Sequence, residues 1–134
     1  MPSPIAPPVS LSTGQVVLLI GIGIAVWFVV ALLLAALAPL GVYAGTANLL
    51  LYALIVPGTV PLILLIRTLT RAIRDQTLTC VTIVTATASL LDGNALLRLP
   101  VLYGASPAGA GATLLWGVGV ALALSVVMSR PAQQ

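Results

Sequence analysis

The sequence is almost without charge, because only 5% of its 134 residues are charged. It has five arginines and two aspartates, and it lacks lysine, glutamate and histidine. A soluble domain carries about 25% charged residues. With 60% hydrophobic residues, this chain could not cover itself with a surface compatible with water. The composition therefore excludes a soluble globular domain and predicts an integral membrane protein.

The same scarcities exclude several classes of function. The single cysteine, Cys80, cannot form an intramolecular disulfide, and no Cys or His cluster could hold zinc, haem or an iron–sulfur centre. We therefore expect no metal and no cofactor. Without His or Glu, most acid–base chemistry lacks its usual residues, so we expect no enzyme. The net charge of +3 comes from scattered arginines that form no basic face, so we expect no nucleic-acid partner.

Four long apolar runs predict an all-α bundle of four transmembrane helices. At about 1.5 Å per residue, each run can cross a hydrocarbon core of about 30 Å. We expect one transmembrane domain over 15–130, between a disordered Pro-rich tail (1–14) and a C-terminal tail (131–134). The predicted spans are 15–38, 47–66, 77–99 and 110–128.

The arginines set the expected orientation. Arg67, Arg71 and Arg74 lie between spans two and three, and Arg130 follows span four. Loops rich in Arg and Lys stay in the cytoplasm. With an even number of spans, both termini are then expected in the cytoplasm.

The second span contains a predicted break at Pro57, Gly58 and Pro61. Each proline removes a backbone donor and clashes with the carbonyl four residues back, so we expect a kink or a local unwinding. Such breaks survive in a bilayer where neighbouring protein satisfies the freed groups. Helix 2 is therefore expected to pack inside the bundle at that level.

The third span carries a stripe of polar residues, Thr82, Thr85, Ser89 and Asp92. At 100° per residue these side chains fall within about 80° of arc. Either the stripe packs helices together through hydrogen bonds, or it forms a hydrophilic path that leads to Asp92.

Asp92 is the most informative single residue, because an ionisable group inside the membrane is costly and is a functional candidate by default. Asp92 could instead have a structural role. The helix could also end or kink at Gly93, and such a break would bring Arg98 close to Asp92. On an unbroken helix, the Arg98 side chain extends to the lipid headgroups. Asn48 is expected at a similar depth, within reach of Asp92 or Asn94. The candidate polar site comprises Asp92, Asn94, Ser89, Thr85, Thr82, Asn48 and Arg98.

Two further patterns concern the helix surfaces. Small residues four apart, Gly21 with Ala25 and Gly117 with Ala121, are expected to let helices approach closely. Three tyrosines are expected near the outer membrane boundary, as in an aromatic belt: Tyr43, Tyr52 and Tyr103.

Three functions remain open. The first is a non-enzymatic membrane protein in which Asp92 packs helices or contacts a partner, which could be the lipid bilayer, a second copy in a homodimer or another membrane protein. The second is a small transporter or proton-coupled exporter that uses Asp92. A lipid-modifying enzyme is the least favoured, because the two aspartates lie about 25 Å apart on a continuous helix.

The order of several residues resembles a family of small bacterial four-helix membrane proteins of unknown function. The resemblance covers about 15–128, although Gly93 stands where the family has Ala and the loop after Arg74 lacks the family's lysines. It implies a place in the bacterial inner membrane and no specific activity. The residues that carry it are Trp27, Pro39, Asn48, Pro57 or Pro61, Leu91-Asp92-Gly93, Leu99-Pro100 and Trp116.

Overall fold

Ser12 fixes the start of the first helix, α1 (Thr13–Leu37). Its side chain accepts a hydrogen bond from the Gln15 amide, and the Gln15 side chain accepts one from the Ser12 amide. This reciprocal pair satisfies two of the donors that a helix start leaves free.

The structure, a computed structural model, describes residues 10–131. The helix begins before the predicted tail boundary at residue 14, and residues 1–9 of that tail lie outside the described residues.

Three more long helices follow: α2 (Gly45–Thr70), α3 (Thr77–Arg98) and α4 (Pro107–Ser129). Residues 10–131 contain no strand. Each of the four helices is long and apolar enough to cross a membrane. The predicted all-α four-helix bundle of a multi-pass membrane protein is confirmed. The largest difference in bounds is at α2, which continues four residues beyond the predicted end at Ile66.

The packing of the bundle centres on α3, which lies against both α1 and α4, while α2 packs mainly on α4. Gly23 permits the contact between α1 and α3, because a Cβ there would lie 2.7 Å from the Thr87 Cβ and 2.9 Å from the Val84 carbonyl oxygen. Contacts between α1 and α2 are few, although the two helices are consecutive in the chain.

The predicted small-residue pairs are not the points of closest approach. Gly21 and Ala25 are exposed on α1, and a Cβ added at Gly21 or at Gly117 would meet nothing within 4 Å. The small residue that lets α1 approach α3 is Gly23. It follows Gly21 by two residues and therefore lies on a different face of α1. For Gly21, Ala25 and Gly117 the expectation is wrong, because spacing alone does not reveal which face of an apolar helix meets its neighbour; Ala121 is buried with Ile63 and Val81.

The predicted break in α2 does not interrupt the helix, which is continuous through Pro57 and Pro61. Pro57 and Pro61 are exposed, so the prolines themselves do not pack inside the bundle as expected. Thr59 is buried in the same turn, and its hydroxyl donates to the Ile55 carbonyl at 2.6 Å. The backbone groups that the prolines free therefore lie on the side of α2 not covered by this chain.

The bundle has two distinct ends. The aspartate end comprises the connections 38–44 and 99–106, and the arginine end comprises the start of α1, the connection 71–76 and the end of α4. At the arginine end the Gln15 side chain donates to the Thr70 carbonyl at 2.9 Å. This bond ties the start of α1 to the last turn of α2.

Candidate functional site

Asp92 lies on the buried face of α3 and is only 7% exposed. It belongs to a row of buried residues at helical spacing that includes Val84, Ala88 and Ala95. The helix is continuous through Gly93 to Arg98, so the predicted break at Gly93 does not occur. Because the row faces the other helices, the carboxyl group of Asp92 points into the bundle.

The connection after α3 brings Tyr103 onto Asp92. Pro100 begins a short 3₁₀ turn that ends at Tyr103, and Gly104 follows with a φ of 90°. A Cβ at Gly104 would overlap the Cβ of Ala38, so only glycine fits both the backbone conformation and the space. The turn places Tyr103 at 0% exposure, where its hydroxyl donates a hydrogen bond to Asp92 Oδ1 at 2.5 Å.

Two further aromatic side chains bond to Tyr103. Trp27 of α1 donates its indole N–H to the Tyr103 hydroxyl at 3.1 Å, and the Tyr43 hydroxyl donates to the Tyr103 carbonyl at 3.0 Å. A tyrosine hydroxyl can donate one hydrogen bond and accept others, so Tyr103 joins Asp92 and Trp27 in one chain. We call these four residues the aspartate network.

The positions of the three tyrosines differ from the predicted aromatic belt. Tyr103 is an interior residue rather than an interfacial one, and the Tyr43 hydroxyl bonds inside the protein. Tyr52 stacks on Trp116 with ring centroids 5.2 Å apart and an angle of 10° between the rings. The Trp116 indole also donates to the Tyr52 carbonyl at 3.2 Å, so this pair lies on the surface formed by α2 and α4.

Burial affects the acidity of the two tyrosines that belong to the connections. Burial raises the pKa of Tyr103 above its ordinary value of 10.0, and the hydrogen bond to Asp92 raises it further. Burial also raises the pKa of Tyr43. Both hydroxyls therefore keep their protons, which they need in order to donate the hydrogen bonds of the network.

The predicted stripe on α3 is divided in the structure. Thr85 and Asp92 face the interior, whereas Thr82 and Ser89 are exposed. The hydroxyls of Thr82 and Thr85 donate to the Leu78 and Val81 carbonyls one turn back on α3. These two hydroxyls therefore bond within α3, and Asp92 is the member of the stripe that bonds to another element. An arc of 80° is wide enough for its two edges to have different surroundings.

The remaining polar candidates do not join the network. Asn48 donates from Nδ2 to the Val42 carbonyl at 3.3 Å, so the expected bond to Asp92 or Asn94 is not formed. Asn94 and Arg98 are exposed, and the unbroken helix keeps Arg98 on a different side of α3 from Asp92.

Four of the five arginines lie at the arginine end. Arg67 is in the last turn of α2, Arg71 ends that helix with a φ of 52°, and Arg74 begins the next turn. Arg130 follows α4, which packs against the turn at 74–76. The Arg67 Nε atom is buried without a hydrogen bond.

A cleft of about 430 Å³ extends into the bundle between the four helices. Its walls include Trp27 of α1, Ile55 and Gly58 of α2, and Gly117 of α4, and Asp92 is also part of the lining. Since α1 and α2 have few contacts with each other, the cleft is least closed on that side. The volume falls in the usual range of small-molecule sites, about 300–1,000 Å³.

Sequence reasoning found Asp92 but missed its partners. Tyr103 is eleven residues further along, beyond the end of the helix, and Trp27 is on another helix. The one local signal was Pro100 followed by Gly104, which indicates a tight turn after α3. Nothing in that signal tells whether the turn folds back over the bundle or away from it.

The arrangement can bind and orient through one carboxyl group, but it offers few groups for catalysis. Residues 10–131 contain no group of three His, Cys, Asp or Glu side chains that could hold a metal ion. No family model, curated protein or solved structure matches this chain.

Proposed function

We propose that this chain is a non-enzymatic, multi-pass protein of the bacterial inner membrane in which Asp92 holds the helices in a fixed arrangement for contact with lipid or a partner. The observation that carries this proposal is the continuous chain of hydrogen bonds from Trp27 through Tyr103 to Asp92. It links α1, α3 and the connection that follows α3. Buried hydrogen bonds between separate elements make a structure rigid, and a buried polar group that loses its partner costs about 1–3 kcal/mol.

The distribution of titratable groups supports the absence of catalysis. Asp75 lies at the arginine end and Asp92 near the aspartate end, about 25 Å apart along α3. Two carboxylates at that distance cannot act on one bond. Within residues 10–131 Asp92 accepts its hydrogen bond from Tyr103, whose raised pKa keeps the hydroxyl protonated near neutral pH, so it is not available as a base.

The orientation that we propose places both termini in the cytoplasm, because the arginine end carries Arg67, Arg71, Arg74 and Arg130. Cysteines introduced at exposed positions of the two connections would test it. We expect Ala105→Cys to react with an impermeant thiol reagent added outside intact cells and Asp75→Cys to react only after lysis. The native Cys80 is buried, so it provides little background. The opposite pattern would reverse the orientation.

The structural role of Asp92 predicts a specific effect of Tyr103→Phe. This change removes the hydroxyl that bonds both Asp92 and Trp27 but keeps the ring, so we expect a loss of about 1–3 kcal/mol in the free energy of unfolding in detergent. Tyr52→Phe is the matched control, because it keeps the ring that stacks on Trp116. Equal stability of the two variants would contradict the role that we propose for the network.

A second candidate function is supported by the position of Asp92 in the lining of the cleft. A small transporter or proton-coupled exporter could use this acid as its ionisable site. The test is solute flux in proteoliposomes with an imposed pH gradient, for the wild-type protein and for Asp92→Asn. Flux that follows the gradient and is lost in a folded Asp92→Asn protein would favour transport over the structural role. Flux that ignores the gradient would exclude the proton-coupled version.

A further inference from the structure

The cleft has the shape of a site for a long, thin molecule. Its lining on α2 runs from Leu51 to Ile66, which are about 22 Å apart along the helix axis. This distance is most of the thickness of a hydrocarbon core of about 30 Å. The walls are built mainly from Leu, Ile and Val side chains. A cleft with this length and lining fits a single hydrocarbon chain that lies parallel to the helices.

The polar groups of the lining are largely satisfied by the protein. The hydroxyls of Thr59, Thr85 and Thr113 donate to carbonyls of their own helices, and the Trp27 indole donates to Tyr103. Asp92 is the one acid in the lining. A polar group on a molecule bound in the cleft would therefore contact Asp92.

Asp92 retains the capacity to bind such a group. A carboxylate has two oxygens that accept hydrogen bonds, and within residues 10–131 only Oδ1 receives one, from Tyr103. Asp92 takes part in no ion pair with an arginine of the described chain: Arg67, Arg71 and Arg74 lie at the arginine end, and Arg98 is exposed. A buried carboxylate without a cation is unfavourable, so a positively charged group would complement it.

We propose that the cleft binds a single-chain amphiphile with an ammonium head group, with the ammonium on Asp92 Oδ2 and the hydrocarbon chain along α2. Charge complementarity selects the head group, and the length of the apolar lining selects the chain. The proposal goes beyond the structural role of Asp92 and is compatible with it, because Tyr103 occupies the other carboxylate oxygen. It applies equally if the protein only binds the amphiphile or also moves it.

The two tryptophans of the protein make binding measurable. Trp27 lines the cleft, whereas Trp116 lies outside it and is 44% exposed. In a Trp116→Phe protein the fluorescence reports on Trp27 alone. The probes are dodecylamine, dodecanol and dodecanoic acid, each with a nitroxide quencher on the chain, added to the protein in nanodiscs of zwitterionic lipid. We expect saturable quenching by the amine, with an affinity about tenfold or more above that of the alcohol, and the weakest quenching by the acid.

Substitutions in the cleft separate head-group recognition from chain binding. Asp92→Asn should reduce the affinity for the amine to that of the alcohol and leave the alcohol unchanged. Gly117→Leu should abolish saturable quenching by both, because Gly117 lines the cleft and a Cβ there meets nothing within 4 Å. The matched control is Gly119→Leu, two residues further along α4, exposed and with equal free space, which should bind as the parent does.

Three results would overturn the proposal. The first is equal quenching by the amine, the alcohol and the acid, which is expected if ordinary lipid chains fill the cleft without selection. The second is unchanged amine affinity in Asp92→Asn, which would remove Asp92 as the head-group site. The third is binding by Gly117→Leu that matches binding by Gly119→Leu, which would place the probe outside the cleft. None of these results depends on the stability of Tyr103→Phe, so they leave the structural role of the network to be judged separately.

Discussion

The two ends of the bundle are held together in different ways. At the aspartate end, Asp92, Tyr103, Trp27 and Tyr43 form side-chain hydrogen bonds between separate elements. At the arginine end the hydroxyls of Thr68 and Thr70 bond within α2, and the Gln15 side chain joins α1 to α2 through the Thr70 carbonyl. There the interior contains an apolar cluster of Leu19, Ile66, Cys80 and Val84, with the buried polar residues Thr70, Gln76 and Thr77 close to it in the chain.

The difference between the two ends follows from the way in which lipid solvates the helices. Lipid is as apolar as leucine, so apolar contacts alone give little preference for one helix arrangement over another. Close approach, as at Gly23, and buried hydrogen bonds provide that preference. At the arginine end the charged connection is anchored by its preference for the membrane surface. At the aspartate end the connection 99–106 has no charge, and interior hydrogen bonds hold it.

The largest effect on stability is expected from Gly104→Ala, which disrupts the turn that positions Tyr103. Alanine would be strained at a φ of 90° and its Cβ would overlap the Cβ of Ala38. Strain and overlap together predict a loss of about 2–4 kcal/mol in the free energy of unfolding. The measurement is an unfolding titration in mixed detergent and dodecyl sulfate.

Gly41→Ala is the control for that change. Gly41 also has a positive φ, 71°, but a Cβ there meets nothing within 4 Å. We expect a loss of about 1 kcal/mol from strain alone. If Gly104→Ala were no more harmful than this control, the turn would not be tightly fixed against Ala38.

A smaller effect is expected from Gln15→Ala at the arginine end. The change removes the bond to the Thr70 carbonyl and the acceptor for the Ser12 amide. The Ser12 amide is exposed, so water can replace its lost partner, and we expect a loss of about 1 kcal/mol. Thr68→Val is a control, because its hydroxyl bonds only within α2. If Gln15→Ala lost more stability than Tyr103→Phe, hydrogen bonding at the arginine end would contribute more to stability than the aspartate network does.

The smallest effect is a dependence of stability on alkaline pH. Burial and the bond to Asp92 raise the pKa of Tyr103, whereas a tyrosine in the unfolded chain ionises near pH 10. Above that pH the unfolded state releases a proton that the folded state keeps, so stability is complete below about pH 10 and falls as the pH rises further. Thermal unfolding between pH 8 and pH 11 should show this fall, and Tyr103→Phe should flatten it. An identical slope in the variant would assign the fall to other groups.

Sequence reasoning predicted the fold well and the site in part. The apolar runs locate the four helices because helix length and hydropathy are properties of a local segment. Asp92 was found because a charge within such a segment stands out. For Tyr103 the sequence predicts a position at the membrane interface, although the residue is buried, since a tyrosine near a helix end fits either position. Only the path of the chain through Pro100 and Gly104 distinguishes the two.

The failures have a common physical origin. In an apolar helix, residues that face lipid and residues that face protein have the same composition, so the sequence does not indicate rotation about the helix axis. For this reason the spacing points to Gly21, whereas Gly23 makes the close contact with α3, and the sequence alone does not show that Pro57 is exposed. The same ambiguity affected the polar stripe, of which Thr85 faces inward and Thr82 outward.

The most direct test of the account is a double-mutant cycle between Asp92 and Tyr103, with unfolding measured for Asp92→Ala, Tyr103→Phe and the double variant. If the carboxyl and hydroxyl groups depend on each other, the double variant should be more stable than the sum of the single losses predicts, by about 1 kcal/mol or more. Strictly additive losses would contradict the claim that Asp92 holds the aspartate end together through Tyr103.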